Sequence, residues 1–231
     1  YYKRDWGFCV TQEQYQRLKA SPGPLEVVID SQFDAKGSLT IGELVVPGSR
    51  KEEILVSTYI CHPSMANDNL SGVVTTTLLA SQVHKSATPI HTWRFLFVPE
   101  TIGPIAYLSS YPDIIKRTVG GLVVTCCGGP GPLGYKMTFQ GDHVVDRAIE
   151  IAFHELNAEP ERYAFSPLGS DERQYSSPGI RIPVATICKD KYHEFKEYHT
   201  SADNLNFVKP EYVFESLELY RRVQNILDSN T

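Results

Sequence analysis

Long apolar runs are missing from this 231-residue chain. No stretch approaches the ~20 residues that a membrane-spanning helix needs, so no membrane partner is expected. Runs of Lys and Arg are missing as well. The formal charge is −5, and a nucleic-acid partner, which demands a basic stripe to neutralise phosphates, is not expected either. The five cysteines, at 9, 61, 126, 127 and 188, are odd in number and irregularly spaced. They suggest neither a secreted disulfide framework nor a paired CxxC zinc site, and a reducing cytoplasm fits them better. There is no GxSxG elbow, and the glycine-rich stretch 128–134 lacks the spacing of a phosphate loop and any following helix signal. Internal repeats and low-complexity segments are absent. The chain opens Tyr1-Tyr2-Lys3-Arg4-Asp5-Trp6, without an initiator Met or a signal-like apolar region, which is consistent with a fragment of a longer protein.

What is present describes an ordinary soluble globular chain, 42% hydrophobic and 21% charged, long enough for one main core with a small appendage. Residues 1–50 hold a short polar helix candidate, Thr11 to Lys19, then the break Ser21-Pro22-Gly23-Pro24 and two strand-like runs at 25–29 and 38–46, closed by Pro47-Gly48. They read as a β-rich appendage. From 51 to 231 strands alternate with helices: strands at 53–60, 92–98, 119–126 and 183–188, helices at 69–84, 102–111, 142–156 and 210–228. That alternation predicts an α/β domain whose mostly parallel central sheet is flanked by helices. The third helix places Val145, Ala148, Ile149, Ala152 and Leu156 at helical spacing behind Asp142 as the expected N-cap.

The segment Cys61-His62-Pro63-Ser64-Met65-Ala66-Asn67-Asp68-Asn69-Leu70-Ser71-Gly72 is the most informative. It brings a histidine and an acid to the end of a buried strand, where open α/β sheets place their ligand sites. Imidazole nitrogen and carboxylate oxygen are zinc ligands, and Asn67 and Asn69 are suited to hold the turn by local hydrogen bonds. Taken alone, Asp68 reads equally well as a helix cap and His62 as a loop histidine. Glu100 follows the second strand. It is placed to accept a proton from a metal-bound water, or else it is simply an acid in a helix's first turn. His199 lies in a late loop with Asp203, which is suited to orient the imidazole through its second nitrogen; the alternative is a surface histidine beside a turn. The polar cluster Asp171-Glu172-Arg173 is either a site for a substrate amine and carboxylate or a solvated loop. Cys126 is a soft ligand candidate or a small core residue.

Three motifs, HPSMANDNLSG (62–72), GSDERQYSSPG (169–179) and EYHTSADNL (197–205), together resemble the zinc aminopeptidases of the bacterial leucyl aminopeptidase superfamily, over about residues 52–228. More narrowly they resemble an aminopeptidase-like family associated with polysaccharide or secondary-metabolite gene clusters. The resemblance implies zinc ligands at His62, Asp68 and His199, a general base at Glu100, and a position near the substrate amine at Asp171. It also implies that residues 1–50 are the end of an inserted β domain. Thr101 stands where the superfamily has a second glutamate, and the Thr125/Cys126 region where it has a last aspartate. Two carboxylates are thereby lost, so one zinc ion is expected rather than two, with Glu172 or Cys126 as candidates for a fourth ligand.

The expected function is a metal-dependent hydrolase of the aminopeptidase type. It would cleave an amide bond next to a free amino group, in a small peptide or an N-acyl amine held by Asp171 or Glu172. The alternatives are glutaminyl-cyclase-like acyl transfer on the same zinc scaffold and a binding module that has lost efficient catalysis.

Overall fold

Residues 53–59 bury all seven side chains, the pattern of a strand covered on both faces, and they lie inside a seven-stranded mixed sheet. The computed structural model describes residues 5–32 and 34–229. In chain order the elements are α1 (Gln12–Ala20), β1 (Gly42–Val46), β2 (Glu53–Tyr59), an irregular helical turn (Ala66–Ser71), α2 (Gly72–Lys85), β3 (Thr92–Val98), α3 (Ile102–Ser110), α4 (Pro112–Arg117), β4 (Thr118–Val124), β5 (Gly134–Lys136), α5 (Val144–Glu155), β6 (Glu161–Tyr163), α6 (Glu172–Tyr175), β7 (Val184–Cys188) and α7 (Pro210–Ser229).

The chain divides into two compact units, one up to Ser38 and one from Leu39. In the first, α1 is closed by a reciprocal cap: Gln14 N donates to Thr11 Oγ1 at 3.2 Å and Thr11 N to Gln14 Oε1 at 2.8 Å. No strand forms among the described residues of this unit; within residues 1–50, expected to be β-rich, the strand among the described residues is β1. The apolar run at 25–29 has no strand beside it to complete a ladder. The later run shortens to β1 and joins the second unit, antiparallel to β3 from Gly42 opposite Phe97 to Val46 opposite Trp93. Buried Arg94 of β3 fastens it, donating to Glu43 of β1 and, at 2.6 Å, to Glu53 of β2.

The sheet order is β1-β3-β2-β4-β7-β5-β6. Strands β3, β2, β4 and β7 are parallel, while β5 runs antiparallel to β7. Side chains alternate between two cores, as the two-residue period requires. Ile54, Val56, Trp93, Phe95, Leu122, Val124, Ala185 and Ile187 face α2, α5 and α7. Leu55, Leu96, Val98, Val123 and Val184 face the layer of Tyr107, Leu108, Ile114 and Tyr175. Helix α5 comes close to β4 at Gly120, where a Cβ would stand 2.7 Å from Val145 Cγ2. Its N-cap is His143 rather than Asp142: Val145 N donates to His143 Nδ1 and His143 N to Asp146 Oδ2, at 3.3 and 2.9 Å. Among the described residues no helix is long and apolar enough to cross a membrane. Because four neighbouring strands are parallel, the segments following β2, β3, β4 and β7 leave one edge of the sheet, and that edge carries His62, Glu100, Cys126 and the loop of His199.

Candidate metal centre

Strand β2 ends at Tyr59, and the next three residues deliver His62. Beyond it the chain does not enter a helix at 69, as its pattern suggests. Residues 66–71 form the irregular turn, with Asp68 at φ −111°, ψ 76° and Asn69 at φ −146°, ψ 29°, and α2 starts only at Gly72. The delay has a cause: the amide side chains bond across the fold, with Asn67 Oδ1 also accepting Ser71 Oγ at 3.2 Å. Asn69 Nδ2 donates to Thr58 Oγ1, the Tyr59 carbonyl and the Val124 carbonyl, at 2.9, 3.2 and 3.3 Å. Asn67 Oδ1 accepts from Gly128 N at 2.8 Å, and its Nδ2 donates to Asp190 at 3.3 Å. Gly72 is the residue that lets the helix start this close: a Cβ there would lie 2.2 Å from Asn69 Oδ1.

Asp203 holds the same turn from the other side. Its carboxylate accepts Asn67 N at 2.5 Å and Asp68 N at 2.9 Å. The sequence expectation that it orients His199 gives way to this role as a backbone clamp.

Asp68 is fully buried and caps no helix. Its Oδ1 accepts the Tyr59 hydroxyl, which also lies 2.6 Å from Thr125 Oγ1. Its Oδ2 lies 2.9 Å from His199 Nε2, and Oδ1 lies 3.8 Å from His62 Nδ1. The His62 and His199 ring centroids are 5.0 Å apart, and His199 is stacked on Tyr198 at 3.9 Å. Ligand atoms of His62, Asp68 and His199 all lie within 4.8 Å of one another. Of the atoms here, His62 Nδ1 is buried without any hydrogen-bond partner, and Asp68 Oδ2 has none beyond its approach to His199 Nε2. An orphaned buried polar atom costs about 1–3 kcal/mol, and two imidazoles with one carboxylate make a donor set that suits zinc. The residues present therefore fit a metal ion.

Glu100 is half-buried two residues before α3, so it is not a first-turn acid. Its Oε1 accepts Ser170 Oγ at 2.8 Å, and its N–H donates to Cys61 Sγ at 3.3 Å. Cys61, His62 and Glu100 form a second group whose ligand atoms lie within 4.8 Å of one another. Asp171 and Glu172, expected at a substrate amine, are fully buried instead. Asp171 Oδ1 accepts Thr101 N at 2.8 Å; burial chiefly, with Glu100 and Glu172 nearby, raises its carboxyl to about 8. Glu172 Oε1 pairs with buried Lys136 Nζ at 2.8 Å. Among the described residues, neither Glu172 nor Cys126 joins His62, Asp68 and His199 in a group whose ligand atoms all lie within 4.8 Å of one another. Cys126 is a buried thiol whose Sγ accepts from Thr125 Oγ1 at 3.3 Å. The residues that the sequence reading missed are Tyr59, Cys61 and Ser170. Their only signal is position: Tyr59 and Cys61 end the strand that delivers His62, and Ser170 adjoins Asp171.

A family model described as Domain of unknown function (DUF4910) matches residues 8–230. A protein of Clostridium acetobutylicum, put forward for polysaccharide biosynthesis and carrying an aminopeptidase-like domain, is 44% identical over 230 residues, covering 100% of this chain and 52% of its own. A crystal structure from the same organism, of a protein put forward as a peptidase, superposes with a TM-score of 0.93 at 43% identity, over 100% of this chain and 53% of that one. An aminopeptidase from Aneurinibacillus sp. strain AM-1 superposes with a TM-score of 0.66 at 22% identity, over 79% of this chain and 46% of that one. A zinc aminopeptidase from Bacillus subtilis gives 0.65 at 17%, over 79% and 48%. The fold is thus aminopeptidase-like, and the chain spans about half the length of the curated relative it matches.

Proposed function

We propose that this chain, which belongs to the family described as Domain of unknown function (DUF4910), is a metal-dependent hydrolase of the aminopeptidase type, cleaving an amide bond next to a free amino group in a small peptide or N-acyl amine. The observation that carries the reading is the meeting of His62, Asp68 and His199, with Asp68 Oδ2 facing His199 Nε2 and His62 Nδ1 buried without a hydrogen bond. These three residues would hold one zinc ion, which when bound supplies a Lewis acid that polarises a carbonyl and acidifies water.

The chain's own residues do the rest. Tyr59 donates to Asp68 Oδ1 and so fixes the carboxylate with Oδ2 toward His199, the kind of outer support that sets ligand orientation. Glu100, half-buried at the same sheet edge, is the base: it accepts the proton of the attacking water and returns it to the leaving amine. Ser170 holds Oε1 of Glu100 and aims the carboxylate. Asp171 steadies the Glu100–Thr101 peptide through Thr101 N. No contact with the substrate amine is proposed for Asp171 or Glu172, both being closed off from solvent.

The test is Glu100→Gln on the zinc-loaded protein with a panel of aminoacyl-anilides and dipeptides. We expect kcat to fall by a factor on the order of 10² to 10⁴ with zinc content unchanged. Turnover that is insensitive to the substitution, or a zinc-loaded wild type without turnover on the whole panel, contradicts the reading.

A further inference from the structure

We propose that Cys61, His62 and Glu100 form a second, weaker cation site for soft divalent ions, and that filling it takes Glu100 out of use as a base. The inhibitory consequence rests on the proposed function; the site itself rests on geometry. Ligand atoms of the three residues lie within 4.8 Å of one another. Zinc bonds of roughly 2.0–2.3 Å place tetrahedral ligands about 3.3–3.8 Å apart, so small side-chain rotations close the set. The thiol is already held against the base: Glu100 N donates to Cys61 Sγ at 3.3 Å. Of the two Glu100 oxygens, Oε1 is engaged by Ser170, and Oε2 makes no hydrogen bond among the described residues, which leaves it for a cation.

Access separates this thiol from most of the others. Cys126, Cys127 and Cys188 are buried, whereas Cys61 is exposed and Glu100 is half-exposed, so an ion reaches them directly from solvent. Thiolate sulfur favours zinc, cadmium and related soft ions over magnesium or calcium. Because His62 already serves the first ion through one ring nitrogen, it reaches the second through the other, so binding releases two protons to solvent, one from the Cys61 thiol and one from that ring nitrogen, and breaks no other bond. The site is the weaker one because His62 is already drawn toward Asp68, with Nδ1 3.8 Å from Oδ1, and because its other two ligands remain partly hydrated. Excess zinc therefore inhibits the protein that one equivalent activates.

The test is a cobalt(II) titration of the metal-free chain, followed by near-ultraviolet absorption, beside Cys61→Ser and, as a control for the other exposed thiol, Cys9→Ser. We expect the first equivalent to bind without a thiolate-to-cobalt band and the band to grow beyond it. The band should vanish in Cys61→Ser and persist in Cys9→Ser. In parallel, the zinc concentration that halves hydrolysis should rise at least about tenfold in Cys61→Ser. A band that is absent at all metal ratios, unchanged in Cys61→Ser, or complete with the first equivalent overturns the proposal. The band reports the site whether or not any substrate is cleaved, so a failure of hydrolysis bears on the proposed function alone.

Discussion

Replacing Asp203 with Asn isolates the clamp under the Asp68 turn. One carboxylate, on a residue 1% exposed, accepts two backbone donors, Asn67 N at 2.5 Å and Asp68 N at 2.9 Å. Hydrogen bonds to a charged group are worth about 1.5–3 kcal/mol each. Asparagine keeps one carbonyl oxygen, so one N–H retains a neutral acceptor and a weaker bond. The other N–H faces an amide NH₂ and is left buried without a partner, at about 1–3 kcal/mol. The expected loss is about 3 kcal/mol. For a chain of this size that lowers Tm by about 6–12 °C, and zinc affinity should fall by about 10- to 100-fold because Asp68 hangs from the loosened turn. Thermal unfolding of the metal-free protein, followed by a zinc titration, reads both effects. If Asp203 instead acted on the His199 ring, zinc affinity would drop while the metal-free Tm stayed at its wild-type value. That outcome refutes the clamp.

Two other substitutions probe the buried acids. Burial raises the Asp171 carboxyl from 3.8 to about 8, so between these values the folded chain keeps a proton that the unfolded chain gives up. The stability it contributes is full below its unfolded pKa and is lost as pH rises through about 8. Asp171→Asn retains an oxygen for Thr101 N and cannot ionise, so its stability relative to wild type should climb across that window and level off above it. Urea unfolding at about pH 5, 7 and 9 checks this; a constant difference between the two proteins contradicts it. Lys136→Met leaves Glu172 buried without its counter-ion, and Lys136 Nζ also donates to the carbonyls of Ser166 and Leu168 at 2.7 and 2.6 Å. The expected loss is about 3–5 kcal/mol, largely recovered by adding Glu172→Leu; an unchanged urea midpoint in the single variant counts against the pair.

The parallel part of the fold was legible in the sequence because its strands are continuous apolar runs and its helices carry a regular apolar period. Glu53–Tyr59, Thr92–Val98, Thr118–Val124 and Val184–Cys188 are apolar on both faces, and α5 and α7 carry helical stripes. Gly42–Val46 was visible as a strand, but its pairing with β3 was not, since the partner of an edge strand is not encoded in its own residues. Strands of three residues, such as β5 and β6, are too short to show a period. His62, Asp68 and His199 were legible as polar residues within recognisable motifs, and Glu100 as the acid that follows a strand. Tyr59 was not, since it reads as the last apolar residue of β2 until its hydroxyl is seen on Asp68. Asp203 was given the wrong partner because contacts to backbone N–H groups leave no trace in side-chain chemistry. Asp171 and Glu172 look solvent-seeking by type; only the packing of α6 beneath the Glu100 loop shows that they are enclosed.

The central claim is that His62, Asp68 and His199 share one ion. Anomalous diffraction at the zinc absorption edge, from crystals of the chain grown with one equivalent of zinc, tests it directly. The account predicts a single peak about 2.0–2.2 Å from an imidazole nitrogen of His62, an imidazole nitrogen of His199 and a carboxylate oxygen of Asp68. A peak bound by none of these three, or no peak in a crystal whose solution counterpart retains zinc, contradicts it.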